Sequence, residues 1–215
     1  MIAIIDYDAG NIKSVEKALL SMGETPVLTR DPEVILQSDH IILPGVGSFG
    51  DAMENLNKFG LIDVIHEAIN RQIPFLGICL GLQLLFESSE ETPGVAGLGI
   101  LKGKIVRIPE GPGLKIPHMG WNSLNVREGA SLFKGLEKEP YLLAGVSSGA
   151  YVYFVHSYYL QAKDPKIVAA TAEYGVTIHA SVEKENVFAC QFHPEKSSKT
   201  GLAILKNFLA QRREG

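Results

Sequence analysis

Cysteine is scarce in this chain, with Cys79 and Cys190 its two examples in 215 residues. Two thiols so far apart in sequence cannot build the disulfide framework of a small secreted scaffold. There is no Cys-x-x-Cys, no His-Glu-x-x-His and no other spacing of metal ligands, so neither a metal nor a cofactor is expected. No apolar run reaches membrane-spanning length. The N-terminus lacks the charged stretch and long apolar region of a secretory leader, so a reducing, cytoplasmic setting is expected. A basic surplus is missing too. Twenty Lys and Arg against 24 Asp and Glu leave a net charge of −4, which offers nothing to meet the phosphates of a nucleic acid. Repeats, low-complexity segments and long linkers are also lacking. What remains is ordinary globular composition, 46% hydrophobic and 20% charged, in a length suited to one domain over 1–215 with a large core.

The first ninety residues alternate strand and helix patterns. Met1 to Asp6 is a near-continuous apolar run, as in a central parallel strand buried on both faces. Asn11 is placed to cap a helix carrying Ile12, Val15, Leu19 and Met22, and Gly23 to end it. Pro26 to Leu28 and His40 to Leu43 read as strands, with a helical region from Asp51 to about Arg71, broken near Gly60. After Glu91 the rhythm changes to strand-like runs over 97–108, 121–126, 151–159, 167–174, 177–182 and 187–192, before a terminal helix over 201–209. The expectation is an α/β fold in three layers, with a mostly parallel central sheet flanked by helices and additional antiparallel strands.

At Pro74–Phe86 a short apolar strand pattern passes into helical spacing, and Cys79 sits at the changeover within Gly77-x-Cys79-x-Gly81. That is the shape of a nucleophile elbow, with cysteine where hydrolases often carry serine. Glycines belong there because a sharp strand-to-helix turn leaves no room for side chains beside the nucleophile. A helix beginning after Cys79 aims free N–H groups at the sulfur and favours the reactive thiolate. The plain alternative is a structural cysteine buried in a strand.

Gly45-Val46-Gly47-Ser48-Phe49-Gly50 matches G-x-G-x-x-G between a strand and a helix. A dinucleotide site fits poorly, since the motif follows the third strand and Asp63 and Glu67 fall inside a helix rather than at a strand end. Such a turn can instead present backbone N–H groups to an anion and complete an oxyanion hole beside the elbow.

A cysteine nucleophile needs a histidine to take and return a proton, and a third group to orient it. His40 and His66 read as structural or exposed, and His118, His156 and His179 are ambiguous. His193 leaves the carboxyl end of an apolar strand, at the same sheet edge as Cys79. Pro194 holds it extended, so Glu195 can lie beside the imidazole. His-Pro-Glu alone is equally compatible with an ordinary turn. Cys190 reads as core.

Together the glycine loop, the elbow and the terminal His-Pro-Glu resemble the class I (triad) glutamine amidotransferases, in that family's order and over nearly the whole chain. Asp6–Asn11, Pro44–Gly50, Pro117-His118-Met119-Gly120-Trp121-Asn122, Tyr153–Tyr159 and His193–Ser197 make it most similar to the branch serving histidine biosynthesis. The resemblance implies a flavodoxin-like fold and a glutaminase without cofactor. Cys79 would attack the glutamine amide, His193 would act as base and then acid with Glu195 behind it, and a γ-glutamyl thioester would be hydrolysed. Backbone N–H groups of Val46, Gly47 and Leu80 would hold the oxyanion. Gln83 and Glu91, with backbone at Ser157 and Tyr158, would bind substrate; on spacing alone Gln83 is equally an exposed helix residue and Glu91 a loop charge.

Ammonia released to water would be protonated, so the resemblance also implies a (β/α)8-barrel cyclase docked over the site as a heterodimer. Asn11, Met119, Trp121 and Lys196 are the expected contacts. If the peptide at the β-branched Val46 must flip to present its N–H, the site idles until that partner binds. Competing readings are a cysteine γ-glutamyl hydrolase or peptidase without an ammonia acceptor, and a non-catalytic regulatory subunit. Leu142 to Gly149 is a soft Gly/Ser-rich stretch with no assigned role.

Overall fold

The computed structural model describes residues 1–136 and 150–212; the Leu142–Gly149 stretch lies outside them. In chain order the elements are β1 (Ile2–Ile5), α1 (Ile12–Ser21), β2 (Pro26–Thr29), α2 (Pro32–Leu36), β3 (His40–Leu43), α3 (Phe49–Lys58), α4 (Leu61–Asn70), β4 (Phe75–Ile78) and α5 (Leu80–Leu84). There follow β5 (Ser88–Ser89), β6 (Gly103–Arg107), β7 (His118–Ser123), β8 (Asn125–Val126), β9 (Tyr151–His156), β10 (Tyr158–Ala162), β11 (Val168–Glu173), β12 (Thr177–Lys184), β13 (Val187–Cys190) and α6 (Ser198–Leu209).

Eight strands form one sheet in the order β2-β1-β3-β4-β13-β12-β11-β8. From β2 to β13 neighbours run parallel; from β13 to β8 they run antiparallel. Every residue of β1, β3, β4 and β13 is buried, which is why these strands read as unbroken apolar runs rather than alternations. One core lies between the sheet and α1 and α6, through Val15, Leu19, Ile204, Leu205 and Phe208. A second lies on the other face, where Ile35, Leu56, Ile65 and Leu82 bring in α2, α3, α4 and α5. The expected three layers are therefore present, with a smaller β10-β6-β5 sheet and a β7-β9 ribbon added after the alternating half.

Several boundaries differ from the sequence expectation. The run over 151–159 is two strands, because the chain leaves the β7-β9 ribbon at Ser157 and enters the β10-β6-β5 sheet. Only Gly103–Arg107 of the run over 97–108 is a strand; Gly99 takes a φ of 65°, which an extended chain cannot accommodate. Asn11 does not cap α1 through its side chain. It adopts a left-handed φ of 69° and its amide is used elsewhere. At α3 the cap is Ser48, whose hydroxyl accepts from the Asp51 N–H.

Candidate active site

Strand β4 ends at Ile78 and α5 starts at Leu80, so Cys79 alone makes the turn. Its backbone sits at φ 54° and ψ −105°, a strained combination for a side-chain-bearing residue that lifts the thiol off the sheet edge. The tightness is measurable. A Cβ on Gly81 would lie 1.9 Å from the Leu43 carbonyl oxygen, and one on Gly77 would lie 2.7 Å from that of Gly81.

His193 follows the neighbouring strand, three residues past the end of β13. Cys79 N–H donates to the carbonyl of Cys190, the last residue of β13, at 2.7 Å, extending the parallel β4–β13 ladder past the end of β4. Three residues on, the His193 N–H donates to the Tyr153 carbonyl at 2.9 Å. Ser197 fixes the turn from below, its hydroxyl donating to the His193 carbonyl at 2.6 Å and accepting from Tyr153 N–H at 2.9 Å. The His193 ring donates from Nδ1 to Glu195 Oε1 at 2.8 Å, with both side chains fully buried. The same Oε1 accepts from Asn11 Nδ2 at 2.6 Å. Burial disfavours a charged His193, but the adjoining Cys79 and Glu195 outweigh it and raise its pKa to about 9. With Nδ1 committed to Glu195, Nε2 is left for the thiol. It makes no hydrogen bond of ordinary geometry among the described residues.

The glycine loop passes beside the elbow. Tyr7, fully buried, donates its hydroxyl to the Pro44 carbonyl at 2.7 Å and anchors the loop's first peptide. Burial, with a smaller contribution from the charge at Cys79, pushes the Tyr7 phenol well up, so it stays a donor. The next carbonyl, Gly45, accepts from the Leu80 N–H at 3.3 Å. One expected oxyanion donor is thus occupied by the chain's own oxygen.

A cleft of about 320 Å³ opens onto Cys79 and is lined by Val46, Gly47, Leu80, Gln83, Glu91, Pro117, Val155, His156, Ser157 and Tyr158. The predicted oxyanion and substrate residues therefore meet in one place. Gln83 is buried, not an exposed helix residue, and donates to the Tyr158 carbonyl and to Gln191 Oε1, each at 3.1 Å. Glu91 is not a free loop charge: one oxygen accepts the Phe49 N–H at 2.8 Å, at the start of α3.

Met119 and Trp121 stand out on β7, 62% and 53% exposed, beside the cleft wall formed by Pro117 and β9. Lys196 is exposed on the turn after His193. Asn11 is the exception among the four expected contacts: it is half-buried and turned inward onto Glu195.

Two features escaped the sequence. His118 and His156 are stacked into the interior and share a hydrogen bond at 3.1 Å. Burial lowers His118 to about 4; burial together with the neighbouring histidines lowers His156 to about 3, so both are neutral. Gln191 is fully buried and donates from Nε2 to Cys79 Sγ at 3.7 Å. Its signal was a lone polar residue inside the apolar run Val187–Phe192. Cys190, as expected, is core, and burial raises its thiol pKa. No cluster of His, Cys, Asp or Glu among the described residues could hold a metal ion.

A cysteine elbow, a histidine–glutamate dyad and a cleft opening onto the cysteine together have the form of a thiol acyl-transfer site. Residues 3–212 match the family description "Glutamine amidotransferase class-I", and the chain belongs to that family. Among individual relatives, it is 48% identical over 213 residues to the imidazole glycerol phosphate synthase subunit HisH of Syntrophotalea carbinolica, covering 97% of this chain and 98% of that protein. It is 50% identical to the subunit of the same name from Thermosynechococcus vestitus, covering 97% and 96%. A crystal structure described as a glutamine amidotransferase superimposes with a TM-score of 0.73 at 18% identity, over 98% of this chain and all of that one. The PurLQS structure from Thermotoga maritima gives 0.69 at 22%, over 97% and 96%. These two establish the fold.

Proposed function

We propose that this chain is the glutaminase subunit of an imidazole glycerol phosphate synthase, working in the cytoplasm as one amidotransferase domain. His193 Nε2 takes the Cys79 proton and the thiolate attacks the side-chain carbonyl of glutamine. The oxyanion is held by N–H groups of Leu80 and of the Val46–Gly47 turn. His193 returns the proton to the leaving nitrogen and ammonia departs, leaving a γ-glutamyl thioester. Water, deprotonated by His193, then releases glutamate and the thiol. Glu195 holds the imidazole in its working tautomer. Gln83 and Glu91, with backbone at Ser157 and Tyr158, receive the polar end of the substrate.

What best supports this reading is the placement of Cys79, just past β4, and His193, three residues past the adjacent parallel β13, with Cys79 opening onto a cleft lined by the predicted substrate residues. The ammonia acceptor is a (β/α)8-barrel cyclase, which makes imidazole glycerol phosphate and aminoimidazole carboxamide ribotide. Exposed Met119 and Trp121 beside the cleft wall, with Lys196 exposed on the turn after His193, support its docking there. The test is the fate of nitrogen. With the cyclase and its ribotide, amide-¹⁵N glutamine should deliver label to imidazole glycerol phosphate, and Cys79→Ala should abolish the transfer. Glutamate release with all label lost to solvent would favour a γ-glutamyl hydrolase.

A further inference from the structure

Gln191 belongs to no part of the triad, the oxyanion loop or the cleft lining. Yet its side chain is fully buried, with its amide nitrogen 3.7 Å from Cys79 Sγ. Which end of an amide faces the sulfur decides what it can do there, and the surrounding hydrogen bonds settle the orientation. The Tyr158 carbonyl can only accept, so the Gln83 group 3.1 Å from it must be the –NH₂. That –NH₂ offers its second hydrogen to Gln191, also at 3.1 Å, so Gln191 must turn its oxygen toward Gln83. Its own –NH₂ is then left facing the sulfur. The direction of the chain is fixed from its far end, by an atom that cannot donate.

A neutral thiol gains little from such a donor. Such a thiol can instead point its hydrogen at the Val155 carbonyl, 4.0 Å from Sγ. Ionisation reverses the preference: a thiolate is repelled by that carbonyl and becomes a strong acceptor, and a charge-assisted hydrogen bond is about twice as strong as a neutral one. Glu91, His156 and Tyr158 share the cleft with Cys79, and the titratable groups acting on it from neighbouring elements are His193 on its turn, Tyr7 on the β1–α1 loop and Cys190 on β13. Burial keeps the last two neutral. We propose that Gln191 is a positioning residue that holds the Cys79 thiolate, and that it ties the nucleophile to Gln83 through one rigid amide. This rests on the glutaminase reading, in which Cys79 is the nucleophile.

The test uses Gln191→Met, which keeps the length and volume but offers no N–H. The readout is iodoacetamide alkylation of Cys79 across pH, without glutamine. The pH of half-maximal rate should rise by about one unit, with alkylation about tenfold slower along the low-pH limb of the profile, as expected for losing one hydrogen bond to a charged group. A purely structural role for Gln191 would disturb Gln83 and raise KM for glutamine while leaving that profile in place. A profile superimposable on the wild type in a folded variant overturns the proposal. Should Gln191→Met not fold, the wild type carries the test. Alkylating Cys79 should shift the ¹⁵N and ¹H resonances of the Gln191 side-chain amide, and unmoved resonances overturn it. Loss of glutamate release in Cys79→Ala is scored separately, since it tests the glutaminase reading and not the part assigned to Gln191.

Discussion

The Leu80 N–H and the Gly45 carbonyl are hydrogen-bonded to each other at 3.3 Å, directly beside the candidate nucleophile. A tetrahedral oxyanion on a substrate bound to Cys79 would need that N–H, and would be repelled by that carbonyl. Turning the Gly45–Val46 peptide would release Leu80 and aim the Val46 N–H toward the same point. Tyr7 holds the preceding peptide through Pro44, so the rotation is confined to one unit of the loop. The resting molecule is therefore expected to hydrolyse glutamine slowly. Adding the cyclase and its ribotide should raise kcat by about 10²–10³, the usual worth of one oxyanion donor. Equal glutamate release with and without them would show that the loop needs no turning.

Asn11 sits more than 180 positions before Glu195 and donates to it at 2.6 Å. Removing that donor leaves a buried carboxylate oxygen supported by His193 alone. Asn11→Ala is expected to lower kcat by about tenfold or more, the cost of one hydrogen bond to a charged group. KM should change little, because Asn11 does not line the cleft. Steady-state kinetics on the holoenzyme would distinguish this from a docking role, which would instead appear as weaker association with the cyclase.

His118 and His156 lie far below the ordinary histidine pKa in the folded chain, at about 4 and about 3. The unfolded chain protonates them near 6.5. Their contribution to stability is thus full above about 6.5 and declines as pH falls toward 4, where the unfolded state binds protons that the folded state refuses. Denaturant midpoints should fall through that interval. His193 has the opposite sign: raised to about 9, it stabilises below 6.5 and loses its contribution as pH rises through 9. Replacing His156 by Gln should flatten the acidic fall, and an unchanged slope would remove the assignment.

Cys79 lines the cleft, whereas Cys190 has no exposed surface and a thiol pKa raised by burial. Iodoacetamide is expected to add one carbamidomethyl group per native chain, at Cys79, and two only after unfolding. Peptide mass spectrometry reads both.

Trp121 is 53% exposed and its ring meets Tyr153 edge-on at 6.2 Å. Trp121→Ala should change the thermal stability of the isolated chain little, while weakening cyclase binding by about 2 kcal/mol, as for an aromatic anchor. Calorimetric titration against the cyclase would decide it.

Much of the site was legible because its chemistry is local. Cys79 is announced by glycines two positions either side, and His193, Pro194 and Glu195 are contiguous. The parallel half of the fold was legible for a similar reason, since strands buried on both faces leave unbroken apolar runs. Asn11 was not legible. Its identity and position suit a helix cap, and only the long-range approach of the His-Pro-Glu turn recruits its amide. His118 and His156 are 38 positions apart, and only the β7–β9 register makes them a pair. The switch of sheets at Ser157 was hidden because an apolar alternation looks the same whichever sheet a strand joins.

Strands β4 and β13 lie side by side, joined through the register Phe75–Val187 to Ile78–Cys190. The spacing of adjacent strands, nearly 5 Å in any sheet, thereby sets how far apart the Cys79 turn and the segment leading to His193 begin. Of the segments threaded between them, β9 stays tied to this geometry through Tyr153, while those that do not touch the His193 turn can lengthen, shorten or be exchanged without recalibrating it. A scaffold so arranged is free to acquire new lids and new docking faces while the two ends of its candidate pair keep their footing.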